Sequence, residues 1–221
     1  MKRQIFTLLA GLLCLSGSVA QAAKVDTLSV RSNAMNKNVT VLTVRPDKAV
    51  GGEKCPVIYL LHGHGGNAFT WMTIKPDLPQ IADREGIIFV CPDGKNSWYW
   101  DSPKNKDYRY ETFVSSEMIN YIDKHYKTIA DRRGRAITGL SMGGHGALWN
   151  AIRHKDVFGA AGSTSGGVDI RPFPKNWLMS EQLGTIEENR QVWDDHTVIN
   201  QVDKLQNGDL ALIVDLSLIH I

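Results

Sequence analysis

Apolar and polar residues alternate along two early stretches, 25–32 and 38–45, where Val39 and Val41 flank Thr40. A period of two sends successive side chains to opposite faces of a strand. The run between them, Ser32-Asn33-Ala34-Met35-Asn36-Lys37, is mostly polar, so the pair predicts an antiparallel hairpin. After a polar, glycine-containing loop over 46–55 the pattern changes. Pro56-Val57-Ile58-Tyr59-Leu60-Leu61 and Ile87-Ile88-Phe89-Val90-Cys91 are unbroken apolar runs, the pattern of strands buried on both faces of a parallel sheet. Shorter runs of the same kind lie at Arg135-Ala136-Ile137-Thr138, at 158–163 and at 210–214.

Helical patterns fall between these runs. Residues 68–84 read as loop and helix, broken by Pro76 and Pro79 and stopped by Gly86. Residues 111–126 carry Phe113, Met118, Ile119 and Ile122 at helical spacing, and a third helix runs from Ala147 to about Lys155. Residues 164–207 are polar, interrupted by Pro172 and Pro174, and predict an irregular segment with short helical pieces. A hairpin followed by strand–helix alternation predicts one α/β domain: a mostly parallel sheet with helices on both faces.

The first 22 residues stand apart. Lys2 and Arg3, the apolar run 5–15 and the small-x-small site Ala20-Gln21-Ala22 read as a secretory signal peptide cleaved near Ala22, which predicts a secreted or periplasmic protein with no membrane anchor afterwards. Removing Lys2 and Arg3 leaves 23 basic against 23 acidic residues, a balance that points to neither nucleic acid nor an anionic surface as a partner. Two cysteines remain, Cys55 and Cys91, each beside a predicted strand; small buried apolar residues and a disulfide both fit.

Candidate chemistry centres on Ile137-Thr138-Gly139-Leu140-Ser141-Met142-Gly143-Gly144. Gly-x-Ser-x-Gly between a strand and a helix is the context of a nucleophile elbow, in which a sharp turn exposes the serine hydroxyl over a helix N-terminus. Acyl transfer also needs donors for the developing oxyanion. The Met142 N–H and a second N–H from His64, or from Gly65, in the run His62-Gly63-His64-Gly65-Gly66 meet that need. A zinc reading of His62-x-His64 lacks a third ligand, and no metal or other cofactor is expected. His145 reads as a capping or packing residue of the helix. His196 precedes the position of the acid, against the usual Ser…Asp/Glu…His order. Trp71, Trp98, Tyr99 and Trp100 cluster in loops at the carboxyl ends of the strands, where ligands bind in open α/β sheets. Stacking on a substrate ring and anchoring of the loops are both open to them.

These stretches, Leu60 to Asn67, Pro92-Asp93-Gly94 with Ser97-Trp98-Tyr99, and Gly139 to Gly144, together resemble the esterase D-type α/β-hydrolases. The chain is similar to their tributyrin esterase and family-one carbohydrate esterase branch, the acetyl xylan and feruloyl esterases, from about residue 25 to 215. The resemblance implies an α/β-hydrolase fold, Ser141 as nucleophile and the amides of His64 and Met142 as oxyanion hole, with Trp71, Trp98 and Tyr99 as candidate substrate contacts. It also implies an acid soon after the 210–214 strand and a histidine further on. The chain instead reads Asp215-Leu216-Ser217-Leu218-Ile219-His220-Ile221. The expectation is therefore an esterase domain over 23–215 that lacks its last strand and helices and its triad acid and histidine, with a non-native tail over 216–221. His220 would replace the base only by accident. The expected function is that of a secreted serine esterase acting on acetyl or feruloyl esters, small or polysaccharide-borne, with this shortened chain itself inactive. An S-formylglutathione hydrolase-like thioesterase, an acyltransferase, and a non-catalytic carbohydrate-binding or degenerate scaffold are the rivals.

Overall fold

The computed structural model describes residues 23–216; the predicted signal peptide and residues 217–221 of the predicted tail lie outside them. The hairpin forms as β1 (Lys24–Ser32) and β2 (Lys37–Arg45), with Leu28 opposite Val41 and Val30 opposite Val39. A four-residue helix, α1 (Asp47–Val50), breaks the loop expected there. Then follow β3 (Val57–Leu61), α2 (Thr70–Ile74), α3 (Leu78–Glu85) and β4 (Ile88–Pro92). Pro79, read as a breaker, sits in the first turn of α3, where a missing N–H removes no helical bond. Gly86, at φ 65°, closes α3 in the left-handed conformation and donates its N–H to the Ala82 carbonyl.

The predicted 111–126 helix is three pieces end to end: α4 (Tyr110–Thr112), a π-helical turn (Phe113–Glu117) and α5 (Met118–His125). β5 (Arg135–Leu140), α6 (Met142–Arg153) and β6 (Ala160–Thr164) come next. The irregular segment holds α7 (Met179–Leu183), α8 (Arg190–Asp195) and a 3-10 turn (Val198–Lys204) before β7 (Ala211–Asp215).

The seven strands order as β1-β2-β4-β3-β5-β6-β7, with β1, β2 and β4 joined antiparallel and every later pair parallel. Successive residues divide between two layers. Val57, Tyr59, Leu61, Val90, Ile137 and Ala161 pack with α5 and α6 on one face, while Ile58, Leu60, Phe89 and Cys91 pack with Leu78 and Ala82 of α3 on the other. Cys55 and Cys91 are buried free thiols.

The second face is covered unevenly. Over β5 to β7 it lies open as a groove of about 290 Å³ floored by Ile58, Ala136, Thr138, Gly162 and Thr164. All five residues of β7 are exposed, Ile213 at 76% and Val214 at 61%.

Candidate active site

Ser141 stands between β5 and α6 at φ 55° and ψ −116°, a conformation that an L-residue holds only when its surroundings enforce it. Two hydrogen bonds and two close glycine contacts enforce it. The Ser141 N–H donates to the Thr164 carbonyl at the end of β6 (2.8 Å), and the Ser141 carbonyl accepts the His145 N–H (3.0 Å). A Cβ on Gly139 would lie 2.3 Å from the Gly143 carbonyl, and one on Gly143 would lie 2.2 Å from the Leu61 carbonyl oxygen. Only glycines let the elbow close this tightly against β3. The hydroxyl-bearing residue is left exposed above the N-terminus of α6, where the first helical N–H groups have no intrahelical acceptor and favour negative charge. Met142 supplies the first of them.

The loop after β3 lies alongside: a Cβ on Gly63 would sit 3.5 Å from that of Ser141. Two amides of this loop are already committed. Gly65 donates to Asn96 Oδ1 (2.8 Å) and Gly66 to the Gly63 carbonyl (3.0 Å). Of the two amides that the sequence offers as a second oxyanion donor, His64 and Gly65, the Gly65 one is thus already bonded.

His62 clamps the loop instead of facing solvent. Its ring is 1% exposed; Nε2 accepts the Gly94 N–H (2.9 Å), so Nδ1, 2.7 Å from the Gly63 carbonyl, carries the proton. Both nitrogens are thereby occupied, and His62 has none to offer a metal. Among the described residues no group of three or more His, Cys, Asp or Glu side chains converges as a metal site. Burial alone would push the neighbouring Asp93 carboxyl up, but the Lys95 ammonium 2.7 Å away and the Lys95 N–H hold it well below the usual carboxylate range. His62 stands off at 3.8 Å.

Trp98 and Tyr99, expected as substrate contacts, are buried, at 4% and 0% exposure. Tyr99, at φ 61°, drives its ring between Gly94 and Gly146, where an added Cβ would come within 2.4 Å of it, and its hydroxyl donates to the His62 carbonyl (3.1 Å). It is a wedge that sets the loop beside Ser141. Trp98 and Trp100 stack on each other and meet the His145 ring edge-on at 5.1 and 5.4 Å. Trp71 is half-buried against the α3 layer.

His145 packs, as its position suggested. Its Nδ1 donates to the Gly167 carbonyl (2.9 Å), and burial brings its pKa down to about 4. His196 stacks on Trp149 at 5.3 Å, and His154 bonds Glu111. Burial would raise the Glu111 carboxyl, but donation from His154, Arg153 and the Trp149 indole brings it down to about 2. No described histidine hydrogen-bonds the Ser141 hydroxyl.

Missing from the sequence reading is the apolar tip of the segment after β6: Phe173, Trp177 and Leu178 are all near half-exposed. Its neighbours, polar residues and prolines, hid it.

The fold and the elbow together define an α/β-hydrolase. The family described as "Putative esterase" matches residues 32–214, and the chain belongs to that family. It is 32% identical over 135 residues to an acetyl esterase of Caldicellulosiruptor saccharolyticus, covering 58% of this chain and 50% of that one. It is 33% identical over 169 residues to a diacylglycerol acyltransferase/mycolyltransferase of Mycobacterium leprae, covering 72% and 48%. A solved ferulic acid esterase superposes with a TM-score of 0.67 at 30% identity, covering 85% and 74%. The chain thus spans about half the length of these two sequence relatives. No described helix is long and apolar enough to cross a membrane.

Proposed function

We propose that this chain carries the nucleophile half of a secreted serine esterase. Ser141 attacks the ester carbonyl, and the amides of Met142 and His64 bind the oxyanion of the tetrahedral intermediate. The observation that carries this reading is the enforced left-handed Ser141 on the α6 N-terminus, with the His62–Gly66 loop against it. Esters on polysaccharide or small alcohols are the substrate class, in line with the acetyl esterase and ferulic acid esterase relatives. Signal-directed export remains part of the reading through Lys2, Arg3 and Ala20 to Ala22.

A serine without a base is a weak nucleophile. With no described histidine on its hydroxyl, the chain alone is expected to hydrolyse esters only at the level that oxyanion donors and binding support, about 10³–10⁴ over water. Chemical rescue tests both halves of the proposal. Added imidazole should accelerate p-nitrophenyl acetate turnover by the chain well beyond its effect on Ser141→Ala. Equal imidazole dependence in the two proteins rejects Ser141 as nucleophile. Full activity without imidazole rejects the missing base. The mycolyltransferase relative gives one specific reason to test acyl transfer. A sugar acceptor that diverts the acyl group from water would make the protein a transferase.

A further inference from the structure

Ala23, the residue before β1, is only 7% exposed and packs in the α3 layer with Leu42, Val44 and Ala82. Its N–H donates to Asp83 Oδ2 on α3 (2.8 Å), and the other oxygen, Oδ1, accepts the Asp47 N–H at the start of α1 (2.9 Å). One carboxylate thus joins the lead into β1, the first turn of α1 and the body of α3.

That carboxylate has another beside it and no cation. Desolvation and, after it, repulsion from Asp83 raise the Asp47 carboxyl above its ordinary range. The basic side chains around them are engaged elsewhere. Lys24 and Arg45 both turn to Asp26, and the Lys48 ammonium lies against Gly86 at the end of α3. Among the described residues no Lys, Arg or His side chain forms an ion pair with Asp47 or Asp83. Two neighbouring carboxylates repel each other, and a cation between them removes the cost.

A single cut in the chain would supply that cation in place. The small-x-small site Ala20-Gln21-Ala22 ends at the peptide bond whose nitrogen Asp83 already holds. Hydrolysis breaks the C–N bond, adds the hydroxyl of water to the Ala22 carbonyl carbon and a proton to the Ala23 nitrogen. At neutral pH the proton of the new carboxyl passes to the amine, whose ordinary pKa is about 7.7–8.0. A neutral N–H donor on Asp83 is replaced by an ammonium with three donors and a full charge. Charge-assisted bonds of this kind are about twice as strong as neutral ones.

We propose that an export peptidase cuts between Ala22 and Ala23, and that Asp83, with Asp47 beside it, is the receptor for the Ala23 ammonium. Processing then tightens the join between β1 and α3, so the mature chain differs from its precursor in stability as well as in length. The proposal rests on the export reading and is independent of Ser141.

N-terminal sequencing of the exported protein is the first step, and Ala23 is the expected first residue. The same protein is then treated with cyanate at pH 7, where only the unprotonated α-amine reacts and lysine side chains serve as the slow internal reference. A carboxylate partner raises the pKa of the amine. A rise of about one unit makes carbamylation of Ala23 about ten-fold slower than in Asp83→Asn. In that variant the amide oxygen can still accept the Asp47 N–H. If Asp83→Asn does not fold, Asp47→Asn gives the same comparison with a smaller acceleration, about two- to three-fold. An unchanged rate at Ala23 overturns the receptor. A first residue other than Ala23 overturns the proposal and leaves export standing. A chain retained in the cell with Met1 in place sinks the export reading, and the cut with it.

Discussion

Two strand ends in the same sheet are built by opposite means. Where β5 meets α6, glycines at 139 and 143 bring backbone against backbone so closely that no Cβ fits. At β7, every residue is exposed, Leu212, Ile213 and Val214 at 44–76%. The first region is defined by contacts among β3, β4, β5, α6 and their loops, all of them made among the described residues. The second is held by its ladder to β6 and two further backbone bonds, from the Ser165 N–H to the Asp215 carbonyl (2.7 Å) and from the Ala211 N–H to the Gly159 carbonyl (3.1 Å). The two meet at the end of β6, where Thr164 pairs with Asp215 and its carbonyl receives the Ser141 N–H. Site geometry is thus specified by close packing at the centre, and the edge bears on it through one residue.

Substitutions at the two ends should differ accordingly. The largest effect is expected for Gly143→Ala. Its Cβ would press on the Leu61 backbone, which cannot swing away, and overpacking of this kind costs about 3 kcal/mol. Calorimetry should show Tm lower by roughly 6–12 °C, together with loss of Ser141 reactivity.

Next is a pH effect at the centre. His145 is held neutral by burial, with its pKa down at about 4, against about 6.5 when unfolded. A depressed histidine makes the unfolded state bind more protons as pH falls, so its stabilisation is complete above pH 6.5 and declines from there towards pH 4. The loss is about 2 kcal/mol by pH 5. Denaturant midpoints should fall over that range in the wild type and flatten in His145→Gln. Glu111 adds a separate decline at lower pH. Its folded carboxyl is down at about 2, so its stabilisation is present above about pH 4.3 and lost as pH falls through the folded value.

Tyr99→Phe removes only the hydroxyl on the His62 carbonyl and should destabilise by about 1 kcal/mol. Its sharper effect is on imidazole-rescued turnover, where kcat should fall with KM little changed, because the loop that carries the His64 amide loosens. The smallest effect belongs to the edge. Ile213→Lys should leave stability within about 0.5 kcal/mol while reducing aggregation, because it puts charge on the outermost described strand of the sheet. A large loss of stability there would erase the contrast between the two regions.

The central region was also the more legible one. Unbroken apolar runs marked β3 and β4, and Gly-x-Ser-x-Gly between strand and helix marked the elbow, because these signals are local. What the sequence left open was the orientation of the loop aromatics. Nothing in Ser97-Trp98-Tyr99 shows that Gly94 and Gly146, the latter on α6, leave a slot for the Tyr99 ring. A residue's exposure in a loop is decided by distant partners. Trp177 was lost for the converse reason: its polar, proline-rich neighbours suggested an irregular segment, and only the left-handed pair at 177 and 178 turns it outward. The π-helical turn at Phe113–Glu117 left no trace in the apolar spacing, which still read as one helix.

The central proposal is that Ser141 is a nucleophile served by oxyanion donors, with no described histidine on its hydroxyl to act as base. Peptide mass analysis after fluorophosphonate treatment, with and without imidazole, tests it most directly. The account predicts an adduct on the Ser141 peptide that forms slowly alone and markedly faster with imidazole, and none at that peptide in Ser141→Ala. An adduct on another residue, or no imidazole-dependent adduct at Ser141, would contradict it.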